Sequence, residues 1–539
     1  LGEPIAAHPG RMLVGYSVDP EIFVWSLAWW PHAILQGENP FVTHAIWAPE
    51  GVNLAWTTSI PGLALLAAPV TLALGPALAY NLLAVCLPAL AAWTAYRLCR
   101  HLTGSAWASL AGGYLFGFSP YVLGQSEGHV HMTAVFLVPL VALVLVRALE
   151  GTSSRRATAA LLGVLTGAQL WFSTELALTL ALAVSLSLAA GLAVAPAHRG
   201  RIVRLLPAVA GGWALGALLA APLLAEALLH FQRAPINAPA SFPADLLNLV
   251  VPTHLTWASW GWTDRVAAAF RGNDAENGAY LGLPTLAIVV LFFRERWGTA
   301  RARFLATVLP LGLLVELGTA LHVRGRSVVP LPWRAVSALP VLDDVLPVRF
   351  SMFVSLAAAV TVASWAAASG APRRLRAALP ALAALAVVPS LWNPVWHETP
   401  RRPAFFADRT YRSCLEPGEN VVVLPLPRWS DAMLWQAESG FAFRMAEGYV
   451  SPPVPAGIPE RVYLTRLEDT NMPGRDWRPL VRFARAQGAT AILVEGGHGS
   501  TWTDLLAPVA TPLDVGGVFL YRLGQRGGPA CAPGATGAS

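Results

Sequence analysis

The chain has 539 residues, 55% of them hydrophobic and 13% charged, with a formal net charge of +6. A soluble domain carries roughly 25% charged residues, so this composition excludes a soluble enzyme. The basic residues are all arginine apart from histidine, and they lie between apolar runs and not on one soluble face, which argues against nucleic-acid binding.

In chain order, the first stretch, 1–76, holds two short apolar pieces, Val18–Leu35 and Ile60–Leu74. The first is acidic at its start and carries Phe23, Trp25, Trp29 and Trp30. That pattern predicts helices lying in or near a membrane interface, where tryptophan is favoured. Apolar runs then follow at Leu78–Arg97, Ala106–Tyr121, Met132–Arg147, Ala157–Phe172, Leu176–Val194, Leu205–Leu229, Ala279–Phe293, Phe304–Leu321, Phe350–Ala368 and Ala377–Leu391. Each is near the length that crosses a hydrocarbon core of about 30 Å, so about ten spans are expected over 77–391.

Arginines collect in every second connection: Arg97 with Arg100, Arg147 with Arg155 and Arg156, then Arg199, Arg201 and Arg204. Arg294, Arg296, Arg301 and Arg303 continue the series, and Arg373, Arg374 and Arg376 end it. The positive-inside rule makes these connections cytoplasmic. Both ends of the chain then face outside, and a further span is expected before Leu1.

After Leu391 the apolar runs stop. Strands are predicted at Asn420–Leu424, Ala489–Val494 and Val518–Arg522, with helices at Arg478–Gln487 and Thr501–Leu506. This alternation predicts a small extracytoplasmic α/β domain over 392–525. A Gly/Pro/Ala-rich tail at 526–539 is expected to be disordered. Cys86 and Cys99 read as small apolar residues. Cys414 and Cys531 are allowed, but not required, to pair if that portion is extracytoplasmic. The sequence shows no P-loop, dinucleotide fingerprint or GxSxG motif.

Ionisable groups near a membrane interface are costly and invite a functional reading. Asp19, with Glu21 two residues on, is the first candidate. Asp19 before Pro20 also suits a helix N-cap. Glu127, His129 and His131 fall within five residues and either gather a divalent metal ion or only cap and bind water. Glu175 is either solvated or part of a pocket. Arg349 either holds a phosphate or snorkels. Trp257, Trp260 and Trp262 stack on sugar rings or anchor at the interface.

The layout resembles the GT-C class of membrane glycosyltransferases, which use polyprenyl-phosphate-linked sugars. Asp19 in Ser17-Val18-Asp19-Pro20-Glu21 sits where that class has its first-loop acid. Phe41–Pro69, with Trp47-Ala48-Pro49-Glu50-Gly51, is similar to the second juxtamembrane stretch. Phe118-Ser119-Pro120-Tyr121 leading to Glu127, His129 and His131 resembles the second outside loop, where some members carry an acidic metal-binding motif; here histidines replace expected acids. Tyr280-Leu281-Gly282-Leu283-Pro284 and Pro347-Val348-Arg349-Phe350 look like recurring segments of bacterial members. The resemblance implies a mainly α fold: a transmembrane bundle with outer-face juxtamembrane helices. It implies sugar transfer from a polyprenyl-phosphate donor to a glycan, lipid or protein acceptor at the bacterial plasma membrane. Asp19 is then the base and Arg349 the phosphate contact. A non-catalytic assembly factor and a transporter or flippase of lipid-linked glycans are the alternatives. The transporter is disfavoured because most span interiors carry no ionisable group.

Overall fold

The computed structural model describes residues 5–524 and Cys531, except 6, 17, 231–239, 340–341, 344 and 451–453. Apart from Cys531, the expected disordered tail at 526–539 lies outside the described residues.

A helix forms at each of the ten apolar runs, and turn residues set its ends. The longest is Pro76–Thr103, with proline at its first position and Gly104 closing it at φ 70°. Proline loses no hydrogen bond there, and glycine tolerates the left-handed cap. Among the described residues, four helices, not ten, are long and apolar enough to cross a membrane: Pro76–Thr103, Thr174–Val194, Pro196–Leu219 and Pro347–Ala368. The chain is a multi-pass membrane protein.

The other six runs fall short for local reasons. Ala106–Gly117 has 12 residues and stops before Ser119-Pro120, which opens a separate helix, Pro120–Gln125. Leu137–Glu150, Leu283–Arg296 and Arg373–Ala386 have 14 residues each, which covers about 21 Å at 1.5 Å per residue. Ala300–Glu316 has 17, and Arg155–Phe172 opens on two arginines. The run expected as one span at Leu205–Leu229 breaks before Pro222, into Arg199–Leu219 and Ala221–Leu229.

The first-loop helix, Pro20–Gln36, is covered by protein: 13 of its 17 residues are buried. It is packed between Pro61–Leu74, Pro76–Thr103 and the C-terminal helix Ala432–Glu438. Its indoles find acceptors inside the protein. Trp25 Nε1 donates to Gln436 Oε1 at 2.7 Å, Trp29 Nε1 to the Pro40 carbonyl at 3.0 Å, and Trp30 Nε1 to the Ser59 carbonyl at 2.9 Å. A buried tryptophan needs such a partner for its one polar atom.

The C-terminal portion holds a five-stranded sheet. Its order is Leu513–Val515, Val518–Arg522, Ala491–Glu495, Asn420–Leu424, Arg444–Met445. Asn420–Leu424 runs parallel to both its neighbours, and Val518–Arg522 is antiparallel to Ala491–Glu495. The two central strands are buried along their whole length, which explains why they read as continuous apolar runs and not as alternating ones. Helices Arg478–Ala486 and Gly499–Leu506 accompany the sheet. Cys414 and Cys531 form a disulfide.

The first loop is strapped to this sheet. Met445 N–H donates to the Ala45 carbonyl at 2.9 Å, and Ala48 N–H donates to the Met445 carbonyl at 3.0 Å. Leu13–Val14 pairs antiparallel with His397–Glu398. Gln436 is the buried rivet: besides accepting from Trp25, its Nε2 donates to the Ala45 and Phe443 carbonyls at 2.7 and 3.0 Å. Gln436→Leu strands two buried polar groups at once, the Trp25 indole N–H and the Phe443 carbonyl, while the Ala45 carbonyl keeps Met445 N–H. Each costs about 1–3 kcal/mol when unsatisfied, so a clear drop in thermal unfolding midpoint is expected in detergent or nanodiscs. An unchanged midpoint would show that the rivet is not needed.

Candidate functional site

Asp19 precedes the first-loop helix, but its side chain makes no capping hydrogen bond. Instead its Oδ2 accepts from His129 Nε2 at 2.8 Å and its Oδ1 from the Tyr449 hydroxyl at 3.0 Å. Of the two readings of Asp19, the capping one has no hydrogen bond to support it. His129 Nδ1 faces Gln125 Oε1 at 2.9 Å. That amide is oriented by its own Nε2, which donates to the Ala275 carbonyl at 2.8 Å and to Glu276 Oε2 at 3.3 Å. Both ring nitrogens of His129 thus face acceptors, an arrangement that only the doubly protonated imidazolium satisfies. Burial pushes Asp19 up, but the hydrogen bond and charge of His129, with the Tyr449 hydroxyl, outweigh it and hold the carboxyl below its usual range. Burial pulls His129 down, and Asp19 more than restores it, so the imidazole is raised.

The chain of contacts continues. Arg349 is 7% exposed. Its Nη2 reaches Glu276 Oε1 at 2.6 Å, and its Nε lies 3.2 and 3.3 Å from the two Glu276 oxygens. Its Nη1 bonds Glu175. Glu175 stands in the first turn of Thr174–Val194, where a helix dipole favours negative charge. Burial pushes Glu276 up, and Arg349 outweighs it, leaving that carboxylate low. From Asp19 through His129, Gln125, Glu276 and Arg349 to Glu175, charges of alternating sign are linked side chain to side chain. The Arg349 guanidinium, expected to meet a phosphate, is buried and engaged by two carboxylates. The snorkelling reading fails, since the head group is buried.

Glu21, expected beside Asp19, has different partners. It is 7% exposed, and its carboxyl is raised well above the usual range by burial and then by a hydrogen bond with Asp431. Glu398 stands in the same cluster, raised from 4.5 to about 8 by burial and then by Asp431. Such carboxyls hold protons more tightly in the folded protein than in the unfolded chain. The stabilisation is therefore fully present below about pH 4.5 and is lost as pH rises through about 8. The melting temperature should fall across that window, and Glu398→Gln should flatten part of the fall. A wild-type profile that rises from pH 5 to about 8 would contradict this assignment.

The three residues expected to gather a metal are separated by the structure. His129 belongs to Asp19. His131 is buried against the Phe23 ring, 5.1 Å between centroids, and burial followed by the charge of His129 keeps it well below the usual imidazole range. Glu127 meets instead His254 and Asp274, with one ligand atom from each lying within 4.8 Å of the others. Trp257, Trp260 and Trp262 are 62%, 68% and 57% exposed, so all three rings remain available to a ligand or a membrane interface.

Tyr449, Gln125 and His254 went unnoticed in the sequence. So did Arg428, whose guanidinium stands 5.7 Å from the centre of the Tyr449 ring. Glu276 and Asp274 stand in no motif that marks them either. An isolated Tyr, Gln or Arg in a polar stretch carries no pattern that marks it.

The fold is that of the GT-C glycosyltransferases. The arabinofuranosyltransferase AftD from Mycobacteria superposes with a TM-score of 0.58 at 16% identity, over 97% of this chain and 39% of AftD. The Archaeoglobus fulgidus oligosaccharyltransferase, in complex with Zn and sulfate, gives a TM-score of 0.53 at 12% identity, over 90% of this chain and 64% of that one. The same organism's AglB, bound to an inhibitory peptide and a dolichol-phosphate, gives 0.50 at 11% identity, over 96% and 71%. The chain thus spans 39% of AftD's length and 64% of the first archaeal chain.

By sequence, residues 16–388 match the family described as "Domain of unknown function (DUF6311)", and the chain belongs to that family. No curated protein matches it in sequence.

Proposed function

We propose that this protein is a membrane glycosyltransferase. It moves a sugar from a polyprenyl-phosphate donor to a cell-envelope glycan, lipid or protein acceptor on the outer face of the bacterial plasma membrane. The observation that carries the reading is the Asp19 carboxylate, fixed by His129 and Tyr449 at the junction of the first loop, the second outside loop and the C-terminal sheet. The GT-C fold supports it. The Cys414–Cys531 disulfide supports placing residues 392–525 on the oxidising side of the membrane, opposite the arginine-rich connections.

The chemistry is a single inverting displacement. The acceptor hydroxyl oxygen attacks the anomeric carbon as the bond from that carbon to the phosphate oxygen breaks. Polyprenyl phosphate leaves with the electron pair, and the hydroxyl proton passes to Asp19. His129 and Tyr449 keep the carboxylate ionised and aimed, so little reorganisation is needed when the proton arrives. Beside Arg349, which Glu175 and Glu276 engage, the guanidinium of Arg428, next to Tyr449 and 3.7 Å from Asp469 Oδ1, is a second candidate for the departing phosphate. The Trp257–Trp262 rings offer stacking surfaces for acceptor sugars. The full chain in lipid, given polyprenyl-phosphate arabinose, mannose or glucose with a cell-envelope extract as acceptor, is expected to transfer one of these sugars. Absence of transfer from all three, with the protein folded, would favour the non-catalytic assembly role.

A further inference from the structure

We propose that Glu127, His254 and Asp274 form a binding site for one divalent transition-metal ion. One imidazole nitrogen and two carboxylates make a mixed N/O donor set suited to Zn²⁺, Mn²⁺ or Co²⁺. His254 Nε2 and Asp274 Oδ2 are 3.5 Å apart, and the three ligand atoms lie within 4.8 Å of one another. Ligands at about 2.0–2.2 Å from one ion require only a small contraction of that triangle. An independent observation points to a missing partner. Glu127 is 9% exposed, and its Oε1 is buried with no hydrogen-bond partner among the described residues. A cation is what a buried carboxylate oxygen in that position lacks.

Each ligand comes from a different segment, and each segment is held. Glu127 follows the short helix Pro120–Gln125, and its own carbonyl accepts from Tyr16 N–H at 2.9 Å. Asp274 opens the turn Asp274–Glu276, which is pinned to that helix by Gln125. The approach is close enough that a Cβ on Gly124 would lie 2.6 Å from the Ala275 carbonyl oxygen, so this glycine is needed for the contact. The His254 carbonyl accepts from Asn393 Nδ2 at 3.2 Å, and its neighbour Leu255 packs with Leu123 and Trp396. Ligands on braced segments need little ordering when the ion binds. With three protein ligands, the ion keeps open positions for water or a ligand oxygen.

The proposal stands on this geometry and not on the transfer reading, and its test reads binding alone. The full chain in nanodiscs, stripped with chelator, is titrated with Co²⁺ alone, followed by visible absorption and calorimetry. One ion per chain is expected. His254→Ala, a change at a half-exposed loop residue, is expected to weaken binding by more than the roughly 10–100-fold typical of an outer-shell partner, and Glu127→Gln to do the same. Metal-free melting temperature should be unchanged in His254→Ala, and Asp19→Asn should bind Co²⁺ as wild type does. No stoichiometric binding by wild type overturns the proposal. So does binding that is lost in Asp19→Asn and kept in His254→Ala, which would place the ion at the Asp19 cluster instead.

Discussion

Replacing Asp19 by asparagine is expected to lower glycosyl transfer by about 10²–10⁴-fold, the usual contribution of a positioned proton acceptor, while the protein stays folded. The amide oxygen can still accept from the Tyr449 hydroxyl, so the 3.0 Å contact to the C-terminal segment survives. The bond to His129 does not survive in the same form, because an amide cannot pair with an imidazolium as a carboxylate does. The loss should fall on kcat more than on KM, since the proton moves only in the transition state. Transfer kinetics beside a thermal melt separate this from misfolding. Equal kcat in wild type and variant would remove Asp19 as the base and turn attention to Glu127.

The second large effect is on stability. Arg349→Leu should destabilise the protein by about 3–5 kcal/mol, the usual result of removing one partner from a buried ion cluster. Two carboxylates are left without their cation. The Glu276 side chain is 4% exposed and that of Glu175 is 23% exposed. Combining Arg349→Leu with Glu276→Gln and Glu175→Gln should recover part of the loss, a non-additivity that contacting residues show and distant ones do not. Thermal unfolding of the purified variants in one detergent measures it. A phosphate-contact role for Arg349 makes the opposite prediction: KM for the donor rises and the midpoint stays put.

Local periodicity and charge placement located the ten apolar helices and the three main strands of the C-terminal sheet. Span length was harder to read, because Ser119-Pro120 and Ala221-Pro222 break helices without breaking the apolar run. The first-loop helix was legible as a helix but not as buried. Trp25, Trp29 and Trp30 suit a headgroup layer as well as an interior, and what decides is Gln436, 411 residues beyond Trp25. The site shows the same division. Asp19 and His129 stood out as candidates because each lies in a dense polar cluster at an outer edge. Tyr449 was not, because it is 430 residues from the carboxylate it contacts, and nothing in its own neighbourhood marks it. Arg349 stood out as well, but its two carboxylates lie 73 and 174 residues away and could not be paired with it from the sequence.

That long-range strapping bears on how the molecule comes into being. Residues made early acquire their partners late: Trp25 waits for Gln436 and Asp19 for Tyr449. At roughly 5–20 residues per second, the interval is on the order of 20–90 s. Throughout it the newly made helix Pro20–Gln36 has apolar surface and an indole N–H with no cover from the C-terminal segment. The Asp19 cluster is thus among the last parts of the molecule to be assembled, and a chain released early lacks its Tyr449 arm even when every apolar run has been inserted.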